Sequence, residues 1–149
     1  MKTKEFYMKK AIKQAYKAEE LGEVPIGAVI VKDGKVLSSA FNKRNSSCDA
    51  TAHAEILAIK KACKKMSDWR LDGAEMYVTL EPCPMCAGAI VNARIKKVYF
   101  GAYEKKSGAV MSNYHILFSG CLNHKADAEG GILEEECSAL LKKFFSEKR

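Results

Sequence analysis

The stretch EMYVTLEPCPMCAGAIVNAR (75–94) decides the architecture. EMYVTLE (75–81) reads as a strand. Pro84 then opens a helix that runs to about Arg94, because proline is favoured at the first helical position. Outward on the C-terminal side, KKVYFGA (96–102) reads as another strand. On the N-terminal side a helix spans about 52–65, and its closing lysine cluster suits a helix C-terminus. Before it lies VPIGAVIV (24–31), a buried strand rich in β-branched residues. Lys32-Asp33-Gly34-Lys35 is a hairpin signal, since Asp-Gly tolerates the positive φ angles of a tight turn, and Val36 to Phe41 returns antiparallel. Phe6, Met8, Ala11, Ile12, Ala15, Tyr16 and Leu21 recur at helical spacing over 5–21, and Gly22 suits the stop. A last helix, about 133–146, aligns Leu133, Cys137, Leu140, Leu141, Phe144 and Phe145. The segment 103–131 reads as irregular. Strands separated by helices imply an α/β layered domain, and its sheet is mixed because the first two strands form a hairpin.

A chain of 149 residues fits one compact domain, 1–149. The 48% apolar and 29% charged fractions exclude disordered and collagen-like readings. Lys plus Arg number 25 against 18 Asp plus Glu, and the resulting +7 points to an anionic partner without speaking to the fold. Lysines break up the N-terminus, so it lacks a secretory signal. No run approaches the roughly 20 apolar residues of a membrane span. These features predict a cytoplasmic protein with no membrane partner. In a reducing compartment, cysteines at 48, 63, 83, 86, 121 and 137 point to metal binding, catalysis or burial rather than disulfides. Cys63 and Cys137 lie on helical patterns as small core residues. Cys48 and Cys121 lie in loop-like stretches and gain no role.

The chemistry concentrates in His53-Ala54-Glu55 and Pro82-Cys83-Pro84-Met85-Cys86, both at helix beginnings. One imidazole and two thiolates make a three-point site for Zn²⁺, and Cys-x-x-Cys lets one helical turn present both sulfurs. The partial positive charge of a helix N-terminus stabilises thiolates. A fourth position is closed by another protein ligand in a structural site and left to water in a catalytic one. Glu55 is too near His53 in sequence for helical pairing of two ligands. As a carboxylate beside a zinc-activated water it suits proton transfer, taking a proton from water and passing it to a ring nitrogen and a leaving amine. Each motif alone is weak; together and in this order they match the zinc-deaminase signature H-x-E…P-C-x-x-C.

With these residues, the chain resembles the bacterial tRNA-specific adenosine deaminases of the cytidine deaminase-like superfamily. VPIGAVIV (24–31), TAHAEILAI (51–59), MYVTLEPC (76–83), MCAGAI (85–90), VYFGA (98–102) and EECSALLKKFF (135–145) carry the resemblance across nearly the whole chain. It implies a three-layer α/β/α fold with a five-stranded mixed sheet flanked by helices, and a homodimer with one zinc per subunit. It implies conversion of the wobble adenosine of an arginine tRNA to inosine. By matching position, His53, Cys83 and Cys86 are the expected zinc ligands and Glu55 the proton shuttle. Asn42 is expected to hydrogen-bond the purine, and the backbone near Ala54 and Cys83 to line the pocket. Where the family commonly has Asp, this chain has Glu104, which keeps the carboxylate and lengthens its reach.

Lys106, in the loop carrying Glu104, and Asn123, in a family-like Asn-His pair, are further candidate substrate contacts. Arg44, Arg70, Phe144, Phe145 and Arg149 form a candidate surface for a tRNA anticodon stem-loop, because single-stranded RNA takes mixed stacking and phosphate contacts. Core packing competes for the two phenylalanines. Two other functions compete. A zinc deaminase acting on a free nucleobase, nucleoside or nucleotide would keep the same metal residues. A zinc-stabilised RNA-binding module would need a fourth ligand, for which Cys48, Cys121, His115 and His124 are the loop candidates.

Overall fold

The computed structural model describes residues 2–120 and 122–147. A first helix, α1 (Lys4–Glu20), begins on Thr3, whose hydroxyl accepts the Phe6 N–H at 3.1 Å. Strands β1 (Gly27–Lys32) and β2 (Lys35–Phe41) form the hairpin, with Asp33 and Gly34 at positive φ in the turn. Then come α2 (Ala54–Met66), β3 (Glu75–Leu80), α3 (Pro84–Asn92) and β4 (Lys97–Ala102). A single 3₁₀ turn (Ile116–Phe118), a short β5 (Asp127–Glu129) and α4 (Glu134–Glu147) complete the order.

The sheet order is β2-β1-β3-β4-β5. β1 is antiparallel to both neighbours, and β3, β4 and β5 run parallel. Alternation along the strands divides the core into two faces, as period-2 side chains require. Ala28, Ile30, Met76, Val78, Val98 and Phe100 pack against α2 and α3. Val29, Val31 and Tyr77 pack against α1 and α4, with Met8, Ala11, Cys137 and Leu140 as partners. The result is the expected three-layer α/β/α arrangement of the cytidine deaminase-like fold. Gly27 lets α1 seat directly on β1, because a Cβ there would lie 2.0 Å from the Ala11 carbonyl oxygen.

Two expectations shift. The strand read over 24–31 begins only at Gly27, since Pro25 has no N–H to offer a ladder. The segment read as irregular, 103–131, contains the 3₁₀ turn and β5. β5 is the sequence Asp-Ala-Glu, which has low strand propensity. Its pairing comes from β4, and Lys4 and Lys97 reach Glu129 from outside at 2.5 and 3.5 Å. No helix among the described residues is long and apolar enough to cross a membrane.

Candidate active site

His53 and Cys83 are the N-cap residues of α2 and α3. Neither spends its side chain on capping its own helix, so both are free to face one another. His53 Nδ1 lies 3.6 Å from Cys83 Sγ and 3.5 Å from Cys86 Sγ, and the three ligand atoms fall within 4.8 Å of one another. Zinc with Zn–S near 2.3 Å and Zn–N near 2.0 Å at tetrahedral angles separates N from S by about 3.5 Å. The donor set and spacing therefore fit one zinc ion, on both its chemistry and its dimensions.

The three groups share protons unequally, and only Cys83 is already poised as a thiolate ligand. Hydrogen bonding from Cys86 and His53 pulls the Cys83 thiol down to about 4. The Cys83 contact also holds His53 above its usual value. Cys86 is pushed up, first by its hydrogen bond to the Cys83 thiolate and then by burial. A bound cation would displace the remaining protons.

Glu55 lies in the first turn of α2 and is 4% exposed. Burial pushes its carboxyl up to about 7, so near neutral pH it can both accept and release a proton. His53, Glu55 and Cys83 open onto a cavity of about 210 Å³. Asn42, Arg44, Glu81, Glu104, Ser107, Leu141 and Phe145 complete most of its wall.

The other sequence candidates separate. Ala54 is fully buried, and its N–H donates to Asn42 Oδ1 at 2.8 Å, so Asn42 fixes the start of α2 as well as lining the cavity. The Glu104 carboxylate accepts the Lys106 N–H at 3.0 Å, which curls the loop on itself. Arg70 is exposed over the ring of Trp69, 5.0 Å from its centroid, away from the cavity wall. Asn123 lines a different depression with Gly88, Asn92 and Arg94. Phe144 is buried and meets Phe145 edge-on, while Phe145 is 54% exposed. Only Phe145 of the pair faces the cavity, because neighbouring positions on a helix point about 100° apart. Arg149 lies outside the described residues.

Among the described residues, the candidates for a fourth ligand do not join the trio. His115 Nδ1 contacts the Val110 carbonyl at 3.2 Å, and His124 Nε2 contacts that of Ile95 at 2.8 Å. Cys48 is exposed, with its thiol on the Asn45 carbonyl, and Cys121 lies outside the described residues. Among the described residues, His53, Cys83 and Cys86 are the only group of this kind. That favours the open, catalytic form of the site.

Sequence reasoning missed two buried carboxylates that hold the flanking loops. Glu23 accepts the N–H groups of Asn45 and Ser46 at 3.2 and 2.6 Å, beneath the loop bearing Arg44. Burial opposes its ionisation, but these amides outweigh it and hold Glu23 below the usual carboxylate range. Glu81 does the same for the loop bearing Glu104. No local spacing announces either role, because the donors lie 22 to 31 residues away in sequence.

The family model of MafB19-like deaminases matches residues 2–149. The chain is 52% identical over 145 residues to the tRNA-specific adenosine deaminase of Bacillus subtilis (strain 168), covering 97% of this chain and 90% of that protein. It is similar to a solved structure from studies of A-to-I editing by tRNA:A34 deaminases at the wobble position of transfer RNA. That match has a TM-score of 0.88 at 44% identity and covers 91% of this chain and 99% of the other. A guanine deaminase from Bacillus subtilis is also similar, with a TM-score of 0.66 at 44% identity over 69% of this chain and 66% of that one.

Proposed function

The chain belongs to the MafB19-like deaminase family, among the tRNA-specific adenosine deaminases, and from that premise we propose that it converts the wobble adenosine of an arginine tRNA to inosine with one zinc per subunit. The observation that carries this reading is the His53–Cys83–Cys86 trio, of which His53 and Cys83 open, with buried Glu55, onto a cavity whose wall mixes polar, basic and aromatic groups. The net reaction is adenosine plus water to inosine plus ammonia.

His53, Cys83 and Cys86 would hold the zinc, which when bound would supply a Lewis acid able to lower the pKa of water to near neutral. Glu55 would take one proton from water and deliver it to the ring nitrogen, then take the second from the newly added hydroxyl and deliver it to the departing amine, so the base keeps a ring N–H and ammonia leaves. Its burial and raised affinity for a proton suit both directions of transfer. Asn42 has its Oδ1 engaged by Ala54, which leaves its amide NH₂ for the base. Phe145 offers a stacking face, and Arg44 a cation for phosphate, at the mouth of the cavity. The anticodon loop suits such a pocket because its bases are already unpaired, so flipping one costs little. The family resemblance supports a homodimer as the working unit and the cytoplasm as its place.

A second reading, deamination of free guanine or a related base, draws on the likeness to the guanine deaminase. One experiment separates the two. Purified zinc enzyme is incubated with an arginine tRNA anticodon stem-loop and, separately, with guanine, adenosine and cytidine. The expected result is inosine in the RNA. Turnover of a free compound with none on RNA overturns the first reading.

A further inference from the structure

We propose that Glu81 is a positioning residue for RNA binding: it fastens the loop 103–112 so that Glu104 and Ser107 form one wall of the catalytic cavity. This rests on the RNA-deaminase reading above.

Glu81 follows β3 directly and stands two residues before Cys83. It is 2% exposed. Its Oε1 accepts the Glu104 N–H at 3.1 Å and the Ser112 hydroxyl. Its Oε2 accepts the N–H groups of Val110, Met111 and Ser112 at 3.2, 2.7 and 2.8 Å. Both ends of the loop thus converge on one carboxylate. The chain beside Glu81 adds two ties: its own N–H donates to the Ala102 carbonyl at 2.9 Å, and Ala109 N–H donates to the Pro82 carbonyl at 2.8 Å. Gly108 permits the wrapping, because a Cβ there would lie 2.5 Å from the Glu81 carboxyl carbon and 2.4 Å from the Glu104 carbonyl oxygen.

A buried carboxylate with this set of amide donors has little freedom to move, and charged hydrogen bonds are the strong ones. The loop has no strand or helix over 103–112, so beyond the buried Ala109 and Val110 its shape depends on these bonds. With the anchor removed, ordering of the loop falls to the RNA-binding step and weakens affinity. Glu55 and the metal ligands stand on α2 and α3, so the chemical step is left largely in place.

The test uses two independent variants of the zinc enzyme. Glu81→Gln keeps the size but turns an NH₂ donor toward amide N–H groups. Gly108→Ala leaves Glu81 unaltered and presses on it. Steady-state deamination of an arginine anticodon stem-loop is measured alongside zinc content. The expected result for both is a KM raised about tenfold or more, kcat within roughly threefold, and unchanged zinc. A misfolded fraction lowers kcat in proportion and leaves KM alone, so a KM rise reports placement of the loop. A wild-type KM in both variants, or a loss confined to kcat, overturns the inference while the function stands. A wild-type enzyme inert on RNA overturns the function itself, and the RNA-positioning role with it.

Discussion

His53 Nδ1 stands 3.6 Å from Cys83 Sγ across 30 residues of chain. The contact exists because β2 and β3 run in the same direction, so α2 and α3 start beyond the same end of the sheet's strands, each with its N-cap residue at the meeting point. Two helix N-termini converge there, and their dipoles favour the thiolate that a zinc ion needs.

The first prediction concerns that centre and its carboxylate. Glu55→Gln should retain about one zinc per chain and lose roughly 10²–10⁴-fold in turnover, the range for a general acid–base group. Metal analysis and inosine formation on the stem-loop measure the two effects separately. Undiminished turnover removes Glu55 from the mechanism.

The pH dependence of Glu55 has a definite sign. Its folded value of about 7 lies above the ordinary 4.5, so between these pH values the fold keeps a proton that the unfolded chain has released. Stability from this group is therefore present at pH 4.5 and lost as pH rises through 7. Metal-free Glu55→Gln should gain on metal-free wild type by on the order of 1–3 kcal/mol between pH 4.5 and pH 8. Urea titrations at the two pH values read the change in the gap. A constant gap removes the burial of the carboxylate as a cost.

Asn42 has a structural task that is separable from substrate. Asn42→Ala leaves the fully buried Ala54 N–H without its acceptor. The expected loss of stability is about 1–3 kcal/mol, the cost of an unsatisfied buried donor. Denaturant unfolding measures it, and a loss below about 0.5 kcal/mol would show that the bond to Ala54 contributes little.

Phe144 and Phe145 should part company. Phe144→Ala removes a buried ring and should cost about 3–5 kcal/mol with KM unchanged in the folded fraction. Phe145→Ala should leave stability within about 0.5 kcal/mol and raise KM for the stem-loop roughly tenfold, as loss of one stacking partner implies. Thermal melts and RNA kinetics on both proteins decide the matter. Equal KM effects would place both rings on the RNA or neither.

Local pattern carried much of this protein. The apolar periodicity of Met8, Ala11, Ile12 and Ala15, and the β-branched run at Val29 to Val31, were legible because helix and strand repeats are short-range properties. So was the donor chemistry of His53, Glu55, Cys83 and Cys86, since each motif fits within a few residues. The Asp-Ala-Glu of β5 was not legible, because its pairing is imposed by β4 rather than by its own propensity. Neither was the inward turn of Phe144 beside the outward turn of Phe145 on one apolar stripe.

The sequence by itself determined α1 to α4, β1 to β4 and which atoms are available to hold a metal and move a proton. Only the tertiary structure decided that the two helix starts meet, that Asn42 holds the start of α2, and that Glu23 and Glu81 secure the loops on either side of the cavity. Those relations join residues far apart in the chain, and a buried carboxylate or amide commits to a partner only when folding brings that partner within hydrogen-bond reach and takes the water away.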